Sequence, residues 1–220
     1  FVEVHAIRGV SLDIEAGDRV GLLGHNGSGK STLLRIFAGV AHPTSGRIIS
    51  EGRVIPLIEK GLGINPELSG YDNIELPLRL IGASTAEVNL ARKSIPDFTG
   101  LGDFIHMPVR TYSEGMKARL AFAICTAIDG DILVLDEWLG AGDIDFMERA
   151  QNRMLEIAQK SEIVILASHE LDLILNVCNK AVWVEQGCVR MQGPPDTVVP
   201  MYIAAQGAEA VHVGAKVSAG

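Results

Sequence analysis

The chain has 220 residues, 47% of them hydrophobic, and a formal net charge of −8. That is apolar content for one sizeable core with room for a subdomain. The acidic balance argues against a nucleic-acid partner, whose phosphates demand clustered Lys and Arg, and no apolar run reaches the ~18 residues of a membrane-spanning helix. Three cysteines, Cys125, Cys178 and Cys188, form no CxxC pair or metal spacing and read as small buried hydrophobes in a reducing compartment. No secretory signal stands at the start, and because the chain opens on Phe1 rather than Met a longer native N-terminus is expected.

In chain order, alternation predicts strands over Ser11–Glu15 and Arg19–Leu23, a helix from Lys30 to Gly39 with Leu33, Leu34 and Phe37 on one side, and a strand over Val54–Ile58. The texture turns helical near Pro66. Ser69 precedes a segment running to Ile81, Ser84 N-caps a helix with Glu87 at the capping-box position, and Ser113 starts a third helix over Met116–Ile128. Ile132–Leu135 and Ile163–Ala167 are short, apolar and unalternating, as parallel strands buried on both faces are. A helix over Phe146–Gln159 separates them. Ala181–Glu185 and Cys188–Gln192 flank Gln186-Gly187, a hairpin signal, and Pro195 opens a last helix. The expected organisation is one α/β domain over 1–205, a P-loop NTPase core with an inserted helical subdomain at about 66–125, then a small-residue tail over 206–220 expected to be mobile.

Two stretches carry chemistry. Gly24, His25, Asn26, Gly27, Ser28, Gly29, Lys30 and Ser31 fit GxxxxGK[ST], between the strand ending at Leu23 and the helix starting at Lys30. Glycines there let backbone amides turn inward as an anion nest, and the helix N-terminus adds partial positive charge. Lys30 can reach the β- and γ-phosphates of a nucleotide, and the Ser31 hydroxyl, followed by Thr32, can ligate Mg²⁺. Ile132–Leu135 ends in Asp136-Glu137: the first carboxylate can hold Mg²⁺ through water, and the second can polarise an attacking water. These features alone leave kinases, GTPases and many ATPases open.

Tyr112-Ser-Glu-Gly-Met116 narrows the field. It resembles the signature motif of ABC ATPases, in a variant of the usual Leu-Ser-Gly-Gly-Gln, and opens a helix before Asp136. His169, after the next buried strand, matches the family's switch histidine, and Asp143 in Gly140-Ala-Gly-Asp143 matches its D-loop aspartate. Five elements thus occur in ABC order over nearly the whole chain. The wording of 108–122, 136–143 and 63–73 is similar to the ABC-2 branch that exports polysaccharides such as O-antigen, capsule and teichoic acid. Two features depart from the family. Glu59 or Lys60 stands where the Q-loop glutamine is usual, and Glu59 is the one whose carboxylate can reach Mg²⁺ or its water. Phe1 is the only Phe, Tyr or Trp before Lys30, which leaves the adenine-stacking residue unassigned.

The resemblance implies an ATPase that uses ATP and Mg²⁺, with Glu137 and His169 catalytic and Asp143 coupling two sites. It implies a homodimer in which Ser113, Glu114, Gly115 and Met116 of one chain face ATP held by the other. It also implies an integral-membrane permease partner and a peripheral place on the cytoplasmic face of a bacterial membrane. The transported substrate implied is a lipid-linked polysaccharide; the alternatives are an exporter of drugs or proteins, or a soluble ABC ATPase. The permease is expected to dock on the segment Glu59–Asn73, through Leu62, Ile64 and Leu68.

Overall fold

The computed structural model describes residues 5–58, 63–136 and 144–217, with side chains described for 5–58, 63–136 and 146–206. In chain order the elements are β1 (Arg19–Leu23), α1 (Lys30–Phe37), β2 (Val54–Leu57), α2 (Glu75–Leu80), α3 (Thr85–Thr99), α4 (Glu114–Cys125), β3 (Ile132–Asp136), α5 (Ile144–Lys160), β4 (Ile163–Ala167), α6 (Leu171–Val177), β5 (Lys180–Glu185), β6 (Cys188–Gly193) and α7 (Pro195–Val217). This is an α/β chain. It divides into two compact units, one of residues 1–43 and 165–220, the other of residues 44–164, with the division inside β4.

In the first unit β1 runs parallel to β5, and β5 pairs antiparallel with β6. The register is set at the strand starts. Arg19 donates its amide to Asn179 Oδ1 (2.8 Å) and accepts from the Asn179 amide (3.0 Å), while Lys180 pairs with Asp18 at 2.9 Å. β5 is apolar throughout its middle, and Ala181, Val182, Trp183 and Val184 are all buried. The Trp183 ring meets Tyr202 of α7 edge-on, 5.5 Å between centroids. Gln186 (φ 49°) and Gly187 (φ 81°) turn the hairpin with the positive-φ pair that suits the strand twist.

In the second unit β2 and β3 are parallel, from Val54 opposite Ile132 to Leu57 opposite Leu135. Arg53 fixes their start. Its amide donates to Asp131 Oδ2 (2.6 Å), its carbonyl accepts from Ile132 (3.0 Å), and its guanidinium reaches Glu87 Oε1 (2.6 Å), Gly82 O and Asp129 O. Glu87 closes the capping box on Ser84, so one carboxylate caps α3 and anchors it to β2. Phe98, Phe122 and Phe146 form the centre of an aromatic core with centroids 5.7–6.1 Å apart. Two arginines of α5 hold helix ends: Arg149 donates to Phe98 O (3.1 Å) near the end of α3, and Arg153 forks onto Thr126 O (3.0 and 2.8 Å) at the end of α4.

Two expectations differ from what is found, and two helical stretches are not read from the sequence. Over Ser11–Glu15 the alternation is real, with Leu12 and Ile14 half-buried between exposed neighbours, but among the described residues the segment joins no ladder and forms no strand. The helix α6 lies between β4 and β5, where a short seven-residue amphipathic turn gives too little periodicity to read. Of the cysteines, Cys125 is buried and Cys178 half-buried, but Cys188 is exposed at the start of β6. Residues 206–217 continue α7 as helix.

Candidate nucleotide site

The predicted phosphate loop and His169 stand just past the carboxyl ends of β1 and β4, the end where open α/β sheets place their ligands. β1 ends at Leu23 and α1 begins at Lys30, so residues 24–29 form the loop between them. Gly29 is the N-cap of α1 at φ 109°, with no side-chain cap, which leaves the helix N-terminus open to an anion. A Cβ at Gly29 would overlap the Ala6 carbonyl, and one at Gly24 would overlap Val184 O and Ser28 Oγ. The loop therefore has room for no larger residue at either position. Ser28 is buried, its hydroxyl lacks any hydrogen-bond partner among the described residues, and its carbonyl accepts from the Gly187 amide at 2.8 Å. Lys30 folds back so that Nζ donates to Gly24 O and, at 3.1 Å, to His25 O. His25, Asn26, Gly27 and Ser31 are exposed and Thr32 is half-buried. A loop with left-handed glycines, an uncapped helix end, a mobile-stemmed ammonium and an unsatisfied buried hydroxyl fits a polyphosphate with its divalent cation.

The sequence missed the support of this loop. The tip of the β5–β6 hairpin lies behind it, and Gly187 in turn accepts from the Arg8 amide (2.7 Å), which ties residues 6–8 to the same place. The positive-φ Gln186-Gly187 pair signals a hairpin, but nothing in its spelling says what the hairpin touches.

His169 follows β4. Ser168 is buried, and its Oγ accepts from the Glu170 amide at 3.0 Å, a tight turn that presents the exposed His169 ring. In the other unit, Asp136 is the last residue of β3, half-buried after four buried apolar residues. Glu137, Asp143 and Glu59 lie outside the described residues, as does Leu62 of the expected docking patch.

Ser113 is the N-cap of α4, with Oγ accepting from the Met116 amide at 3.2 Å. That bond uses a lone pair and leaves the hydroxyl proton free to be donated elsewhere. Ser113 and Glu114 are exposed, Gly115 and Met116 half-buried, and Glu114 pairs with Lys117 at 2.8 Å. Upstream, the segment 65–73 is closed on itself by Asn73, buried and fully bonded. Its Nδ2 donates to Asn65 O (2.9 Å), Leu68 O (3.2 Å) and Ser69 O (2.8 Å), and its Oδ1 accepts from the Asn65 amide (2.7 Å). Leu68 is exposed and Ile64 half-buried, whereas the Tyr71 ring packs between Arg92 and His106.

Comparison with known proteins agrees with this layout. A family model described as ABC transporter matches residues 7–140. The chain is 46% identical over 188 residues to the O-antigen export system ATP-binding protein RfbE of Yersinia enterocolitica, covering 86% of this chain and 79% of that one. It is 41% identical to the O-antigen export system ATP-binding protein RfbB of Myxococcus xanthus and 39% identical to the teichoic acids export ATP-binding protein TagH of Listeria innocua. In both cases 90% of this chain is covered, but only 46% and 58% of the relative, so the chain spans about half the length of these two proteins. A solved ATP-binding subunit of an ABC transporter superposes with TM-score 0.69 at 22% identity, over 90% of this chain and 87% of that one. A dimeric ATP-binding cassette bound to ADP and Pi superposes with TM-score 0.67 at 21% identity, over 87% and 91% of the two chains. The chain belongs to the ABC transporter family, as an ATPase of its ATP-binding class.

Proposed function

We propose that the chain powers export of a lipid-linked polysaccharide of the O-antigen, capsule or teichoic acid type by binding and hydrolysing ATP as a homodimer. The observation that carries the ATPase part is the loop 24–29 with its uncapped helix end and Lys30. The polysaccharide part is supported by the export systems named for the relatives. The chain is read as a single ATPase domain over 1–205 with a helical subdomain at about 66–125.

In this reading the amides of 24–31 and the Lys30 ammonium bind the phosphates. Ser31 and Asp136, with Glu59 as the third candidate, would hold Mg²⁺, which would supply positive charge to offset that of the phosphates. Glu137 orients and deprotonates the attacking water, and His169 contacts the γ-phosphate. Ser113 and Gly115 of the second chain contact the same phosphate, so ATP draws the two chains together, and Asp143 couples the two sites. Catalysis is then positioning and electrostatics rather than covalent chemistry. Among the described residues no helix is long and apolar enough to cross a membrane. The membrane path is assigned to a permease, on whose cytoplasmic side this chain sits peripherally. Leu68, exposed on the segment 63–73, is the residue offered to that permease.

The test is co-purification of the chain with the membrane protein encoded beside it, followed by mass spectrometry of the bound lipid and an ATPase assay in vesicles. A glycan-bearing lipid that stimulates hydrolysis is expected; stimulation by unglycosylated substrates alone would overturn the polysaccharide assignment while leaving the ATPase in place.

A further inference from the structure

The residue before Ser113 is Tyr112, where the usual signature has leucine, and it is buried with a polar atom to satisfy. Its hydroxyl donates to Phe104 O at 2.6 Å. On its other side the oxygen abuts Gly70 so closely that a Cβ there would overlap it. Burial raises the hydroxyl's pKa above its usual value and the Gly70 amide counters this, so the group stays a neutral donor.

The same region is laced by backbone bonds. Residues 66–71 lie antiparallel to 105–110: Tyr71 donates to Ile105 O (2.8 Å), Gly70 to Met107 O (3.3 Å), Val109 to Leu68 O (2.9 Å) and Arg110 to Pro66 O (2.8 Å). Arg110 adds an ion pair to Glu67 at 3.2 Å. Tyr112 is the point at which this pairing passes into the turn that carries Ser113.

We infer that Tyr112 is a positioning residue whose hydroxyl locks the signature turn to the 65–73 segment, so that a displacement of that segment is delivered to Ser113. Leucine could fill the apolar part of the site but could not hold Phe104 O, and the oxygen's fit against Gly70 fixes the spacing between the two strands of the pairing. The inference rests on the proposed role of Ser113 as a contact to ATP held by the second chain. Its consequence is selective: binding of nucleotide to the 24–31 loop does not need the lock, whereas assembly of the composite site does.

The experiment is steady-state ATP hydrolysis by the full chain carrying Tyr112→Phe, Gly70→Ala, both together, or Ser113→Arg. Tyr112→Phe should lower kcat about fivefold, the weight of one neutral hydrogen bond, with KM for ATP within about twofold of the parent. Gly70→Ala should lower kcat further, and adding Tyr112→Phe should recover part of that loss, because removing the oxygen vacates the space the new methyl needs. A merely structural role would lower the melting temperature and give additive losses without a kcat-against-KM split. If Ser113→Arg is inactive but Tyr112→Phe keeps parental kcat, the lock is overturned and the signature reading stands. If Ser113→Arg itself turns over normally, the reading of Ser113 falls and the inference falls with it.

Discussion

The Gly187 amide donates to the Ser28 carbonyl at 2.8 Å, so the tip of the β5–β6 hairpin holds the phosphate loop. Gly187 has φ 81°, and a Cβ there would overlap the Ala6 carbonyl. Gly187→Val therefore combines a left-handed penalty of about 1–2 kcal/mol with a backbone clash. ATP binding measured by calorimetry should weaken about tenfold, 1.4 kcal/mol. Parental affinity would show that the hairpin does not shape the loop.

Lys30→Ala removes the main point charge available to the β- and γ-phosphates. Nucleotide binding should fall steeply and phosphate release should vanish. Glu137→Gln should keep binding and slow hydrolysis by about two orders of magnitude, as loss of a positioned base does. Parental turnover in Glu137→Gln would move the base elsewhere, with His169 next in line.

The sequence was most legible where one local rule sufficed. The strand–glycine loop–helix succession at 19–37 and the Ser84–Glu87 capping box involve neighbours in the chain, and both form as read. The alternation over 11–15 misled because pairing needs a partner strand, which alternation does not report. The hold of Gly187 on Ser28 and the bond of Tyr112 to Phe104 each end on a single backbone carbonyl, and residue identity does not say which carbonyl is met. The Asn73 side chain, bonded to three carbonyls and an amide, shows the same limit: its role is visible only once the loop is closed around it.

Acid should loosen the anchor of α3. Arg53 beside Glu87, with the Ser84 hydroxyl and amide, holds that carboxyl down to about 2 from 4.5. A depressed carboxyl stabilises fully above its unfolded pKa, and the contribution is lost as pH falls from about 4.5 toward 2. Glu87→Gln should lower stability at pH 7 but flatten the acid limb of the profile over that window. Ser84→Ala should cost about 1 kcal/mol through the lost cap. Urea unfolding across pH 2–7 measures both, and an unchanged acid limb in Glu87→Gln would assign the acid sensitivity to another group.

The three thiols should separate cleanly. Burial pushes the Cys125 thiol up to about 11 and the Cys178 thiol up to about 12, so neither offers thiolate at neutral pH, while Cys188 is exposed. A chromogenic disulfide reagent at pH 7.5 should titrate one thiol in the native chain and three after unfolding. Cys188→Ser should abolish the fast phase, and fast labelling that survives it would show that a buried cysteine is reached by local opening.

The head-to-tail arrangement makes a prediction that no single-chain ATPase shares. If each site takes its phosphate loop from one chain and Ser113 and Gly115 from the other, a defect in either part disables both sites of a homodimer. Gly115→Asp introduces a carboxylate where the γ-phosphate is to lie, at a position where a Cβ itself meets, among the described residues, only Ser113 Oγ, at 3.9 Å, so the damage is electrostatic rather than steric. Lys30→Ala damages the opposite half. Each variant alone should be inactive. Mixed together, they form dimers with one doubly damaged site and one intact site. At equal mixing about half of the dimers are of this kind, so recovery is bounded at about a quarter of parental turnover. Differential tags report whether mixed dimers form. Recovery in proportion to the mixed fraction supports the composite site. Mixed dimers that stay as inactive as either variant would overturn it, because they would show that the two halves of a site do not come from different chains.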